Sequence, residues 1–125
     1  MTPDPRPDIS VVVPLYNEIE NLDDLHREMT VALESTGRPF ELVLVDDGST
    51  DGTRDRLLAL EDEDPRVKVV LLRRNFGQTA AFSAGFDRAE GEIVVTSDGD
   101  LQNDPADIPH LVEKLEAEDL DMVCG

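Results

Sequence analysis

Consecutive apolar, mostly β-branched residues punctuate the chain at "ISVVV" (9–13), "LVLV" (42–45), "VKVVLL" (67–72) and "EIVVT" (92–96). Runs this short, without polar alternation, predict strands buried on both faces, as in a parallel sheet. Between them the period changes to that of a helix. Leu22, Leu25, Met29 and Ala32 or Leu33 fall on one stripe, and so do Ile108, Leu111, Val112 and Leu115. Asp104-Pro105 supplies the N-cap and first helical residue of the second stripe. "GSTDGTRDRLLALE" (48–61) opens on capping residues (Ser49, Thr50 or Asp51) and continues as a Leu-bearing helix. "GQTAAFSAGFDRA" (77–89) is rich in small residues, which predicts a helix lying close to a sheet. Met122-Val123 reads as the start of a fifth strand.

Strand–helix alternation of this kind implies right-handed crossovers and an open parallel α/β sheet. Residues 1–8, rich in Pro and Asp, read as a loose leader; residues 9–125 read as one domain without repeat or linker. In such sheets ligands bind beyond the carboxyl ends of the strands. The candidate chemistry is therefore sought there.

Composition narrows the class. The chain has 125 residues, 39% hydrophobic and 32% charged, enough for one domain with a modest core. No apolar run approaches the roughly 20 residues that span a bilayer, and the start has no secretory pattern. A cytoplasmic location, free or at the cytoplasmic face of a membrane, is expected. The net charge of −18 argues against a nucleic-acid partner, whose phosphates require clustered Lys and Arg. Acid spread along the chain, with only Lys68 and Lys114 as lysines, suits a salt-rich, halophilic cytoplasm where screening relieves self-repulsion. Cys124 is the single cysteine and reads as a small residue finishing a strand.

Three of the four strand ends carry acids: Glu18 in "PLYNE", Asp46 and Asp47 in "DDGSTDG", and Asp98 and Asp100 in "SDGDLQ". Residues i and i+2 of a strand point the same way, so Asp98 and Asp100 can face one cation, with Gly99 letting the chain turn. Oxygen ligands with open coordination favour Mg²⁺ or Mn²⁺. The bland alternative is a solvated Asp-Gly turn. A carboxylate at 46–47 can accept from a base N–H or a ribose hydroxyl, and Tyr16 can stack on a ring. Asn17 and Asn21 read as turn and cap residues. His26 and His110 read as surface or boundary residues. Arg73-Arg74 could reach an anionic ligand at this edge, or could equally screen the surrounding acids. No G-x-S-x-G, Walker A or G-x-G-x-x-G motif is present.

In order, "VVVPLYNEIENL", "ELVLVDDGSTDGT", "LLRRNFGQTAAFSAGFDRAEGEIVVTSDGDLQNDP" and "DMVCG" resemble the family 2 glycosyltransferases of GT-A fold. The nearest branch is the dolichyl- or polyprenyl-phosphate sugar synthases, of the dolichol-phosphate mannosyltransferase kind. The resemblance implies a Rossmann-like, nucleotide-sugar-binding α/β unit over residues 9–125. It implies that Pro14, Tyr16 and Glu18 line the nucleotide pocket and that Val45 and Asp47 contact the base. Asp98 and Asp100 would be the metal-binding D-x-D, with Gly99 close to the nucleotide and Gln102 a further ligand. The donor would be a UDP- or GDP-sugar, the acceptor a polyprenyl or dolichyl phosphate, and the transfer inverting.

Family members continue with an arginine-bearing segment and an acceptor-binding half. This chain is accordingly expected to correspond to the donor-binding half. A sheet left open there would expose apolar surface and favour association between copies. Two other readings compete. One is a non-catalytic module that holds nucleotide and metal. The other is a phospho-receiver domain, which needs its acidic pair after the first strand and a lone Asp after the third.

Overall fold

The computed structural model describes residues 7–97 and the strand 122–124. The elements are β1 (Ile9–Leu15), α1 (Leu22–Glu34), β2 (Phe40–Asp46), α2 (Thr53–Glu63), β3 (Val67–Leu71), α3 (Gln78–Arg88), β4 (Ile93–Thr96) and β5 (Met122–Cys124). All strand pairs are parallel, in the order β3-β2-β1-β4-β5. The expected helix over Ile108–Leu115, with Asp104-Pro105 at its start, lies outside the described residues, as do His110 and most of the leader.

The apolar runs are continuous because each strand feeds two cores. Ile9, Val11, Val13 and Leu15 of β1 and Leu42 and Leu44 of β2 join the stripes of α1 and α2. The alternate residues Val12, Val43 and Val45 meet Ala81 of α3 on the other face. Burying each such side chain stabilises the fold by roughly 1.5–3 kcal/mol. The small-residue helix does lie close to the sheet. A Cβ on Gly85 of α3 would come 2.3 Å from Val12 Cγ1.

Two expectations need correction. β3 is not buried on both faces: only Val67 is buried and the rest is partly exposed, because β3 is an edge strand. The helix expected from the 48–61 stretch starts at Thr53, and its N-cap position is Gly52 at φ 102°, without a side-chain cap. Asp51 instead binds the Thr53 N–H at 3.0 Å, a local turn ahead of the helix.

The strand order places a topological switch between β1 and β4. β1 leads through α1 to β2 on one side, whereas β4 is entered from α3 on the opposite face. In open parallel sheets ligands bind beyond the carboxyl ends of the strands at such a point. β4 ends beside Val12, whose carbonyl accepts the Ser97 N–H at 3.1 Å. "PLYNE" and the start of "SDGD" thus leave the sheet from neighbouring strands. No described helix is long and apolar enough to cross a membrane.

Candidate functional site

Beyond β1 the chain turns at Asn17, the one non-glycine residue at positive φ (52°) among the described residues. Asn tolerates this conformation better than most side chains. The turn is held by a clasp to the loop after β2. Asn17 N–H donates to Ser49 Oγ at 2.8 Å, and Thr50 N–H donates to Asn17 Oδ1 at 2.8 Å. Glu18 N–H donates to Thr53 Oγ1 at 3.0 Å, and Ile19 N–H to Asp51 Oδ2 at 3.3 Å. Partial desolvation raises the Asp51 pKa, but hydrogen bonds from the Thr53 hydroxyl and the Thr53 and Ile19 amides outweigh it and hold it below the usual range. The clasp fixes Tyr16, 47% exposed and open to stacking, and Glu18, whose Oε2 accepts from Asn21 Nδ2 at 3.0 Å. Asn21 occupies the N-cap position of α1 without a side-chain capping bond.

The two aspartates at the end of β2, Asp46 within it and Asp47 just beyond, separate to different faces. Asp46, on the face of Leu42 and Leu44, is fully buried; its Oδ2 accepts the Ser49 N–H at 3.1 Å and lies 3.6 Å from Arg54 Nε. Its Oδ1 is buried without a hydrogen-bond partner. Asp47, also buried, binds backbone rather than solvent. Phe76 N–H donates to Oδ1 at 2.8 Å and Gly77 N–H to Oδ2 at 3.1 Å. One bond per oxygen leaves acceptor capacity for a ligand. The same loop is pressed onto Gly48 (φ 79°), where a Cβ would lie 2.4 Å from the Arg74 carbonyl carbon.

Of the residues singled out in the sequence, Pro14, Tyr16, Glu18, Val45 and Asp47 are brought to this edge. Pro14 is half-buried beside Val45 in the strand register. The Val45 side chain is buried under α3, so its backbone is what could meet a ligand. Asp98, Gly99, Asp100 and Gln102 lie outside the described residues. No group of three or more His, Cys, Asp or Glu side chains is placed to hold a metal among the described residues. The clasp of Asn17, Ser49 and Thr53 was missed in the sequence. Its only signal was an Asn in a turn, facing a Ser/Thr-rich loop about thirty residues on.

A cleft of about 630 Å³ opens at the opposite edge of the sheet, lined by Arg38, Phe40, Glu41, Arg66 and Lys68 among others. Arg66 there is engaged by Asp64 at 3.1 Å and Glu34 at 3.8 Å. His26, a half-buried boundary residue as expected, meets the same Asp64 at 2.9 Å. None of Pro14, Tyr16, Glu18, Val45 and Asp47 lines this cleft.

The model of glycosyl transferase family 2 matches residues 10–125. The chain belongs to that family. Over 119 residues it is 45% identical to the dodecaprenyl-phosphate galacturonate synthase of Rhizobium johnstonii, covering 94% of this chain and 35% of that protein. Over 109 residues it is 45% identical to the undecaprenyl-phosphate 4-deoxy-4-formamido-L-arabinose transferase of Salmonella paratyphi B, covering 86% of this chain and 33% of that one. The chain spans about a third of the length of these curated relatives.

Among solved structures, the mannosyltransferase PcManGT of Pyrobaculum calidifontis, in complex with GDP-Man and Mn²⁺, superposes with a TM-score of 0.67 at 30% identity. That match covers 90% of this chain and 33% of PcManGT. S. aureus TarS in complex with UDP-GlcNAc gives a TM-score of 0.67 at 27% identity, over 89% of this chain and 31% of that one. The Rossmann-like parallel sheet expected from the family resemblance is the one observed. A receiver-type sheet, ordered 2-1-3-4-5, is excluded by the observed order.

Proposed function

We propose that residues 9–125 form the nucleotide-sugar-binding unit of a glycosyltransferase that moves a sugar to a polyprenyl or dolichyl phosphate at the cytoplasmic face of a membrane. The observation that carries this reading is the convergence of the "PLYNE" turn and the "DDGSTDG" loop, clasped together at the carboxyl ends of β1 and β2, beside the switch point of the sheet. In family 2, with relatives named for polyprenyl phosphates, that edge is where a UDP- or GDP-sugar would lie. Tyr16 would stack on the base, with Pro14 and Glu18 beside it. Asp47 and the Val45 backbone would contact the base from β2. Asp98, Gly99 and Asp100 would approach the diphosphate.

The D-x-D donors are all oxygens, which fits Mg²⁺ or Mn²⁺ held by Asp98 and Asp100 with Gln102 as a further ligand. Such an ion stabilises charge on a departing nucleoside diphosphate. The acceptor phosphate is already ionised near neutral pH and needs no strong general base. Its oxygen bonds to the anomeric carbon as the nucleoside diphosphate leaves from the opposite face, so the configuration inverts. We also read the dispersed acid as adaptation to high salt. The unfolding midpoint should then rise steadily with added potassium chloride.

The test is calorimetric titration of UDP and GDP, with and without Mn²⁺, in molar potassium chloride. Metal-dependent binding of one nucleotide, lost in Asp98→Ala, is the expected result and names the donor class. A folded chain that binds neither would remove the donor-site reading for this unit.

A further inference from the structure

Among the described residues, Arg27, Arg38, Arg54, Arg56, Arg66 and Arg88 each stand within ion-pair reach of a carboxylate. Arg73 and Arg74 have no such carboxylate among the described residues, although the chain carries 29 acids against 11 basic residues. Both are exposed. Screening of neighbouring acids, one of the two roles open to them in the sequence, is therefore not done by direct pairing with any described acid. Two guanidiniums unpaired among the described residues, on a strongly acidic chain, form a local site for an anion that the rest of the protein repels.

Their position adds to this. The loop that bears them is bound through Phe76 and Gly77 to Asp47, and its Arg74 backbone lies on Gly48. Both arginines therefore sit on the rim of the proposed donor site. The Arg74 guanidinium stands 4.7 Å from the centroid of the Phe76 ring, which is itself 49% exposed. A free phosphate gains nothing from an exposed apolar ring next to the charge, and in the reading above the base of a nucleotide already has Tyr16 to stack on. An amphiphile, anionic at one end and hydrocarbon beyond it, uses both.

Resting on the acceptor reading above, we infer that Arg73, Arg74 and Phe76 form the docking point for the phosphate headgroup of a polyprenyl phosphate. The guanidiniums hold the phosphate by charge-assisted hydrogen bonds, and the Phe76 ring packs against the first part of the chain.

The probe is flotation of the 125-residue chain with phosphatidylcholine vesicles containing undecaprenyl phosphate. Vesicles with phosphatidylglycerol at equal surface charge serve as the second arm. The nucleotide titrations are repeated on every variant. Expected is preferential binding to the undecaprenyl phosphate vesicles. It should weaken by roughly tenfold or more in Arg73→Gln/Arg74→Gln, as for loss of charge-assisted bonds, and by less in Phe76→Ser. Arg88→Gln should behave as the parent chain, and circular dichroism verifies that each variant folds.

Equal binding to both vesicle types would overturn the inference, as would an undiminished double variant. A double variant that loses nucleotide binding and keeps lipid binding would assign the arginines to the donor and also overturn it. Arginine-dependent lipid binding without any nucleotide binding would sustain the inference while removing the donor reading. The two can therefore fail separately.

Discussion

Asp47 and Gly77 are tied across the sheet's edge: the Gly77 N–H donates to Asp47 Oδ2 at 3.1 Å, while Oδ1 takes the neighbouring Phe76 N–H at 2.8 Å. A single buried carboxylate thus joins the end of β2 to the start of α3. An amide cannot replace it, because its NH₂ would face one of the two donors. Asp47→Asn should lower the unfolding free energy by about 1–3 kcal/mol. Urea denaturation measures this, and faster hydrogen exchange at the Phe76 and Gly77 amides would locate it.

Gly85→Ala tests how closely α3 approaches the sheet. The new methyl would lie 2.3 Å from Val12 Cγ1 and 3.1 Å from Val45 Cγ2. Overpacking costs about 1–3 kcal/mol. That exceeds the roughly 1 kcal/mol Ala gains over Gly in a helix. A lower melting temperature is expected, and an unchanged one would show that α3 can lift away at no cost.

Asp64 gives the acid limb of stability its sign. Burial raises its pKa, but hydrogen bonds from the Arg66 guanidinium, His26 and the Arg66 amide outweigh that and hold it below the usual value. A carboxyl depressed in the folded state contributes stability above its unfolded pKa of about 3.9. That contribution is lost as pH falls through the folded value. Between pH 5 and 3 the parent chain should therefore lose more stability than Asp64→Asn. Parallel acid limbs in the two proteins would contradict this.

Ser10→Ala separates the two edges of the sheet. The Ser10 hydroxyl donates to the buried Glu41 carboxylate at 2.6 Å and accepts the Gly91 N–H at 2.8 Å. Its removal should cost about 1–3 kcal/mol in chemical denaturation. Nucleotide titrations of the folded variant should match the parent chain, since this network lies at the amino ends of the strands.

Ser49→Ala attacks the clasp instead. It deprives the Asn17 N–H of its acceptor at 2.8 Å and loosens the turn that carries Tyr16 and Glu18. Loss of a typical hydrogen bond is about 1 kcal/mol in stability, with nucleotide affinity falling about fivefold as the turn loses its preorganisation. Calorimetry on the same variant reads both effects.

What the sequence settled by itself was the architecture. A strand with helices on both sides must be apolar at every position, so "VVV" and "LVLV" disclose a parallel sheet, and the helical stripe of Leu22, Leu25 and Met29 discloses its cover. The strand ends then follow, and with them the edge where Tyr16, Glu18 and Asp47 gather. Local pattern could not separate Asp46 from Asp47. One is buried beside Arg54 and the other binds the backbone ahead of α3, because adjacent residues leave a strand toward opposite faces and meet different neighbours. Nor could it show that, among the described residues, Arg73 and Arg74 have no carboxylate partner while six other arginines have acids beside them. Ion pairs such as Arg38–Asp8 and Arg56–Asp23 join residues 30 and 33 positions apart. Periodicity reports which side of an element is buried; only the folded chain decides which distant group waits there.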